Sequence, residues 1–365
     1  MNVGIVTVYD SSNLGSYLQA LGMQEVVKKN GDTPYLIQTR SSFTTLCLYL
    51  GYNNAPSVRS VKGFVRFLVK SAFNYKDIKE RYKKYKVYKN DWSKFEKIIS
   101  VTNANKVGLD ILLLGSDEIW NSNQPAFQNP FLYGININAE RKYGYAISVG
   151  NMESSKWKEF PNLISGIKNL DGIFVRDKYT EKVIKQYDIE VSGRICDPTL
   201  QVDIRKYMKS LDEVNIPKED YIAIYSYSVD EHSEKIIRNF ARKNNLKTVA
   251  VSLPQKWCDE YINCSPLEFG AILSGARYVY TSTFHGTIFS ILYHTQFVVN
   301  PFSQKVTDVL ELLGLTEFII NSDCTEIQFD ELIKQDRCYS KVEERILNLR
   351  KQSGFLYQSL FNKGI

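Results

Sequence analysis

The sequence predicts an α/β protein built from two parallel-sheet domains, and three observations predict it. Short apolar strand patterns alternate with helical patterns along most of the chain, the alternation runs in two series broken near Asp197-Pro-Thr199, and 365 residues exceed the usual size of one hydrophobic core. Alternation of this kind implies parallel sheets covered by helices, and two such domains are expected to face each other across a central cleft.

The first series opens with a strand over Val3 to Val8 and a helix from about Asn13 to Lys29, which stops at Asn30-Gly31, a usual carboxyl-terminal cap. Thr33 to Ile37 reads as a second strand. Asp110-Ile-Leu-Leu-Leu114 is a continuous apolar run of strand length that ends in Gly115-Ser-Asp-Glu118, a buried parallel strand entering a loop. Lys142 to Ile147 and Gly172 to Val175 look similar. The second series begins with a strand over Tyr221 to Ser226, a helix from about Asp230 to Asn244 and a strand over Thr248 to Val251. Ser265-Pro-Leu-Glu268 then reads as a full capping box with proline at the first helical position, and Gly275 ends that helix. Strands over 277 to 281 and 296 to 299 and a helix near 306 to 313 follow. The expected division is residues 1–200 with a basic insertion at about 55–105, residues 201–338, and a closing helix over 339–365, packed back across the first domain.

Composition narrows the classes of function. A hydrophobic fraction of 44% and a charged fraction of 24% are ordinary for a soluble globular protein, and no run approaches the roughly 20 apolar residues that span a bilayer. Met1 leads into the first strand without a basic leader, so a cytoplasmic location is expected. Six cysteines form no Cys-x-x-Cys pair and no histidine stands at zinc-finger spacing from them; reduced, mostly buried thiols and no metal site are expected.

The net charge of +6 is local. From Arg59 to Lys97, 13 Lys and Arg stand against 4 Asp and Glu, a balance of +9 that leaves 33 basic and 36 acidic residues elsewhere. Residues 58 to 73 interleave bulky apolar and cationic side chains, as an interfacial amphipathic helix would, and residues 76 to 88 read as a solvated helix. An insertion packed on its own domain by Val61, Phe64, Val65 and Leu68, with its lysines in water, is the simpler reading, because charge runs are usually solvated faces. A nucleic-acid partner is not expected, because no DNA or RNA motif is present.

The candidate chemistry centres on His285. It stands between the strand over 277 to 281 and a helix over 287 to 293, with Gly286 allowing the turn. At a strand's carboxyl end and a helix's amino end, an imidazole would meet any anion drawn by the helix dipole; a core histidine bonded to backbone is the alternative. Arg176 ends a strand and opens a helix, where a cation opposes the dipole unless an anion arrives; a local ion pair with Asp177 or Glu181 is the other reading. Asp117 could act as a base or orient His285, or simply cap its turn. Trp120 and Asn121 could shape a sugar subsite or be packing. Asn13, Gly15 and Ser16 open the first helix, where they could hold an anion or acceptor or be ordinary caps, and Ser148 and Gly150 end another strand. His232 and His294 read as structural.

Six motifs then occur in order: Gly115-Ser-Asp-Glu-Ile-Trp-Asn121, Tyr145-Ala-Ile-Ser-Val-Gly150, Val175-Arg-Asp177, Asp197-Pro-Thr-Leu200, Ser265-Pro-Leu-Glu-Phe269 and Thr281-Ser-Thr-Phe-His-Gly286. Together they resemble the polysaccharide pyruvyl transferases, over the chain from Val3 to about residue 320 without the basic insertion. The resemblance implies two Rossmann-like domains of the GT-B glycosyltransferase type. It also implies transfer of the pyruvyl unit of phosphoenolpyruvate to sugar hydroxyls of a cell-surface polysaccharide precursor in a bacterial-type pathway, with no cofactor or metal beyond that donor. His285 and Asp117 would be catalytic. Arg176, Asn13, Gly15, Ser16, Ser116, Trp120, Asn121, Ser148, Thr283 and Gly286 would bind substrate. The acceptor would be a sugar or a lipid-linked oligosaccharide, with peripheral contact to the inner membrane through residues 58–89, and a homo-oligomer fits. A nucleotide-sugar glycosyltransferase on the same architecture and a non-catalytic assembly subunit are the alternatives. Three departures touch the expected site: the family often has Gln at Glu118 and Asp at Ser282, and a Tyr-Gly-Ala or Gly-Asp pattern where this chain has Leu14-Gly-Ser16.

Overall fold

The computed structural model describes residues 1–51 and 75–360, so the expected amphipathic stretch over 58 to 73 lies outside the described residues. Two compact units are present, one from Met1 to Pro198 together with the chain from Leu356 onward, the other from Thr199 to Phe355.

In the first unit, β1 (Asn2–Val6), β2 (Thr33–Gln38), β3 (Ile98–Ser100), β4 (Ile111–Leu114), β5 (Arg141–Ile147), β6 (Gly172–Val175) and β7 (Gly193–Arg194) form one sheet in the order β3-β2-β1-β4-β5-β6-β7. Every pairing is parallel. The chain builds outward from β1 to β3, then returns to the far side of β1 with β4. The carboxyl ends of β1 and β4 therefore flank the point where strand order reverses, the place where open α/β sheets bind ligands. β4 is buried along its length, as its unbroken apolar run requires between β1 and β5.

Helices α1 (Leu14–Lys29), α2 (Ser42–Tyr49), α3 (Tyr75–Asp91), α4 (Val101–Val107), α5 (Pro161–Lys168) and α6 (Lys178–Lys185) complete this unit. α1 starts where Asn13 caps it, its side chain accepting from Gly15 N at 2.9 Å, and ends at Asn30. α3 turns Tyr85 and Tyr88 inward, against Tyr49 at ring distances of 5.1 and 6.1 Å, and leaves Lys79, Lys83, Lys86 and Lys89 exposed. The basic insertion is shorter than 55–105, because Ile98, Ile99 and Ser100 pair with Leu36, Ile37 and Gln38 as a strand of the main sheet.

The second unit repeats the plan. β8 (Tyr221–Tyr225), β9 (Lys247–Val251), β10 (Glu260–Ile262), β11 (Tyr278–Thr281) and β12 (Phe297–Val299) form a parallel sheet in the order β10-β9-β8-β11-β12, which places its reversal between β8 and β11. Its helices are α7 (Glu231–Lys243), α8 (Phe269–Gly275), α9 (Phe284–Leu292), α10 (Gln304–Leu313), α11 (Glu326–Lys334) and α12 (Tyr339–Ser359). The full capping box expected at Ser265 is corrected. Glu268 Oε2 does accept from Ser265 N at 2.9 Å, but residues 266 to 268 form a turn and α8 begins only at Phe269.

The helix over 339–359 is divided between the two units. Up to Phe355 it belongs to the second unit, and from Leu356 the chain belongs to the first. There Tyr357 is buried edge-on to Tyr145 at 6.5 Å and donates to Asp32 Oδ2 at 3.0 Å, and Tyr143 OH donates to Leu360 O at 3.2 Å. Tyr357→Ala removes a buried ring from the first unit, a change of about 3 kcal/mol. Hydrogen exchange should show lost protection in β1, β2 and β5 with β8 to β12 unchanged; equal loss in both sheets would contradict this division.

Candidate functional site

At the reversal point of the first sheet, the loop after β4 is held by its own backbone geometry. Gly115 has φ of +125°, and a Cβ there would strike the carbonyl oxygen of Tyr145, so only glycine lets β4 turn out beside β5. Ser116 N then donates to Gln19 Oε1 at 3.2 Å, and its carbonyl accepts from Thr7 Oγ1 at 3.1 Å. Gln19, fully buried on α1, also donates to Thr7 Oγ1, Val8 O and Ser16 O, which ties the ends of β1, α1 and β4 into one frame.

Asp117 follows at φ of +75°. Its carboxylate accepts from Ser16 Oγ at 2.6 Å and lies 3.8 Å from Arg176 Nη2, while its carbonyl accepts from Ser148 N at 3.0 Å. Asp117 keeps 13% of its side chain exposed, whereas Arg176 keeps 2%. Arg176 Nη1 also lies 2.5 Å from Asp197 Oδ2 and 3.4 Å from Ser116 Oγ. Burial pushes the guanidinium toward its neutral form, but the carboxylates of Asp197, Asp117 and Asp177 outweigh that and raise its pKa above the ordinary value. The expectation of an uncompensated cation awaiting an anion, or of a pair with Glu181, is therefore corrected. The charge of Arg176 is met by Asp197, 21 positions away and itself fully buried.

The structure brings Ser16, Ser116, Asp117 and Arg176 together and sorts the other candidates in this unit. Asn13 and Gly15 make the cap of α1. Ser148 accepts from Gly150 N at 3.0 Å. Asn121 Nδ2 donates to Glu118 Oε2 at 3.2 Å. Trp120 is not a sugar platform: it is fully buried, donates from Nε1 to Leu132 O at 2.9 Å, and stacks on Tyr133 at 6.0 Å with Trp157 edge-on at 6.4 Å. An indole whose polar edge and faces are all satisfied inside the core has nothing left to offer a ligand.

In the second unit, β11 delivers the chain to Thr283, whose side chain caps α9 by accepting from Gly286 N at 3.0 Å. His285 occupies the first turn of α9 with 8% of its surface exposed, its ring edge-on to Phe284 at 5.2 Å. The turn expected at Gly286 is corrected: α9 begins at Phe284, Gly286 lies inside it, and glycine is required there by packing, because a Cβ would strike Thr281 Oγ1 and Thr283 Oγ1. Thr281 Oγ1 in turn donates to Tyr225 O at 2.7 Å, and Ser226 Oγ hydrogen-bonds Ser282 Oγ at 2.8 Å, so the ends of β8 and β11 are joined directly beneath His285. His232 and His294 are engaged elsewhere, with Cys324 O and Glu343 Oε1, each at 2.9 Å.

The profile of the polysaccharide pyruvyl transferases matches residues 13–299. The chain belongs to that family. No curated protein matches it as a close relative. Among solved structures it is similar to an alpha-glucosyltransferase in complex with UDP, at 13% identity over 99% of this chain and 98% of that one with a TM-score of 0.52. It is also similar to MnaA of S. aureus in its UDP co-structure, at 11% identity over 100% and 98% with a TM-score of 0.51. Likeness at this level shows the fold, two Rossmann-like domains of the GT-B class, and this pyruvyl transferase family member is a transferase.

One residue of this family member's second unit escaped the sequence reading. Lys305, in the first turn of α10, sits over the Phe284 ring at 5.9 Å from its centroid, which sets a half-buried cation beside the residue preceding His285. Nothing in its local sequence marks it, because the relation is made by β12 lying next to β11.

The Arg176 geometry makes a stability prediction for this family member. Asp197→Ala leaves a buried guanidinium short of its main partner and should destabilise the first unit by about 3–5 kcal/mol in chemical denaturation. Arg176→Lys should lose less, since it keeps the charge and gives up the fork. A loss below about 1 kcal/mol for Asp197→Ala would mean the pair contributes little.

Proposed function

We propose that the protein transfers the pyruvyl unit of phosphoenolpyruvate to two hydroxyls of a sugar in a polysaccharide precursor, forming a cyclic ketal and releasing phosphate. The observation that carries this reading is the position of His285 at the amino end of α9, at the strand-order reversal of the second sheet, in a chain whose family transfers pyruvyl groups to polysaccharides. Phosphoenolpyruvate carries a phosphate and a carboxylate. The positive end of α9, with Thr283 in its cap and Lys305 nearby, suits such an anion.

The chemistry assigns each group a step. His285 gives a proton to the methylene carbon of the donor, which leaves an oxocarbenium-like centre at the adjacent carbon. A sugar hydroxyl attacks that centre and loses its proton, phosphate departs, and a second hydroxyl closes the ketal with loss of its own proton. Asp117, exposed enough to meet solvent and held by Ser16, is assigned to the acceptor hydroxyl. Arg176 is assigned to positioning Asp117, because an outside anion would have to displace Asp197 to reach it. No cofactor beyond the donor enters this scheme, and the proposed site of action is the cytoplasm.

Phosphate release from phosphoenolpyruvate, measured across a panel of free and lipid-linked sugars, tests the reading. His285→Ala should lower turnover by at least ~100-fold with an unchanged melting temperature. Near-normal turnover in that variant would return His285 to a structural role, and nucleotide-sugar turnover in place of phosphate release would replace the reaction itself.

We further propose that the basic segment over 58–89 brings the enzyme to anionic lipid at the inner face of the membrane, where lipid-linked acceptors reside. Among the described residues no helix is long and apolar enough to cross a membrane. α3 supports an electrostatic contact, since Tyr85 and Tyr88 are used inside the fold while Lys79, Lys83, Lys86 and Lys89 face outward. Each cation near the surface adds about 1 kcal/mol of attraction, weakened by salt. Replacing Arg59, Lys62, Arg66 and Lys70 by Gln should reduce sedimentation with anionic vesicles and spare activity on a soluble sugar. Equal binding of the intact protein to anionic and neutral vesicles at low salt would end this proposal.

A further inference from the structure

Two half-exposed aromatic rings meet at the carboxyl edge of the second sheet. Tyr227 follows β8 and Phe302 follows β12, the two strands that flank β11. Their ring centroids are 5.2 Å apart at an interplanar angle of 57°, with 51% of Tyr227 and 59% of Phe302 exposed. The backbones that carry them are fastened to the loop leading into His285. Phe302 N donates to Ser282 O at 3.0 Å, and Ser226 Oγ hydrogen-bonds both Ser282 Oγ at 2.8 Å and Ser228 O at 2.7 Å. Gln255 Nε2 adds a bond to Ser226 O at 2.9 Å.

Exposed aromatics on a soluble surface are usually solitary and need no account. Here two from loops 75 positions apart are brought into contact, on rigid backbones, across the strand end from which His285 departs. We propose that Tyr227 and Phe302 form the surface on which a pyranose ring of the acceptor packs, and so help to select the acceptor; this rests on the reading of the site given above. A pyranose chair presents a face of axial C–H groups that lies against an aromatic ring while its hydroxyls project around the rim. Two rings in contact and inclined at 57° leave no slot between them for a planar base, and present instead a bent outer surface on which a puckered ring can rest. Within the second unit the two rings meet solvent at the strand end that carries the proton-transferring histidine.

Two measurements on the intact protein test the pair. In initial-rate assays, the Tyr227→Ala/Phe302→Ala double variant should raise acceptor KM by about 10-fold or more while KM for phosphoenolpyruvate holds, with Phe302→Trp and Tyr227→Phe close to wild type and Tyr227→Leu not. The leucine arm separates an aromatic face from apolar bulk. Saturation-transfer NMR with methyl α- and β-pyranosides of glucose, galactose and mannose, read without donor, should show transfer from aromatic protons to the axial C–H protons of at least one of them, lost in the double variant. If the wild type consumes no phosphoenolpyruvate with any sugar, the reading of the reaction fails and the NMR arm alone decides the pair. An unchanged acceptor KM in the double variant, transfer that survives it, or transfer to uridine with none to any pyranoside would overturn the proposal.

Discussion

A parallel strand cannot follow its neighbour through a tight turn; the chain must leave the sheet, cross one face and return, and helices fill the crossings. In both units this constraint combines with a change of direction. The chain lays strands outward on one side of the first strand and then resumes on its other side, so the neighbours β1 and β4, and β8 and β11, have connections that diverge. Loops that leave adjacent strand ends in opposite directions cannot cover the gap between them, and polar side chains gather there. The candidate residues sit on those strand ends. Ser16 and Asp117 follow β1 and β4, Ser226 and His285 follow β8 and β11, and the hydrogen bonds between each pair of loops close the floor of the gap.

Within the first unit the costliest feature is the buried charge. Arg176 follows β6 and Asp197 lies just beyond the edge strand β7, so the ion pair is made across two neighbouring strands whose own pairing is only two residues deep. A buried ion pair seldom adds stability over an apolar pair of the same volume, but removing one partner is severe. What this pair gains is placement. The guanidinium holds Asp197 at one end and faces Asp117 at the other, which keeps a carboxylate at the mouth of a hydrophobic strand end where it would otherwise be poorly accommodated.

The long, unmixed patterns were legible in the sequence. Gly172 to Val175 is β6 to the residue, the Asn13 cap and the break after Pro198 stand where pattern and cap chemistry put them, and the strand-to-helix junction at His285 is present although α9 begins at Phe284, ahead of the turn expected at Gly286. What escaped has a common physical cause: it depends on partners distant in sequence. Ile98 to Ser100 is too short and too mixed to read as a strand until Leu36 to Gln38 lie beside it. α2, α4, α5 and α11 passed unremarked because short helices are specified by the surface they cover more than by their own periodicity. Arg176 looked unbalanced because Asp197 is not a helical neighbour, and Trp120 looked available because nothing local announces Tyr133 and Trp157. The Ser265 box failed for a related reason, since its hydrogen bond forms but closes a turn ahead of α8.

Two of the three departures from the family pattern, at Ser282 and Glu118, can be given a physical sense from their surroundings. Ser282, where an aspartate is often found, is buried and spends its hydroxyl on Ser226, so this position brings no carboxylate to the strand end beside His285. Glu118, where a glutamine is often found, has its carboxylate bonded by Asn121 next to Gly150, where an amide oxygen could have accepted the same bond. Negative charge is thus withheld at one strand-order reversal and added at the other. Each change acts within its own unit: a serine in place of an aspartate removes a repulsion toward anions at the amino end of α9, whereas the carboxylate of Glu118 adds one in the loop after β4.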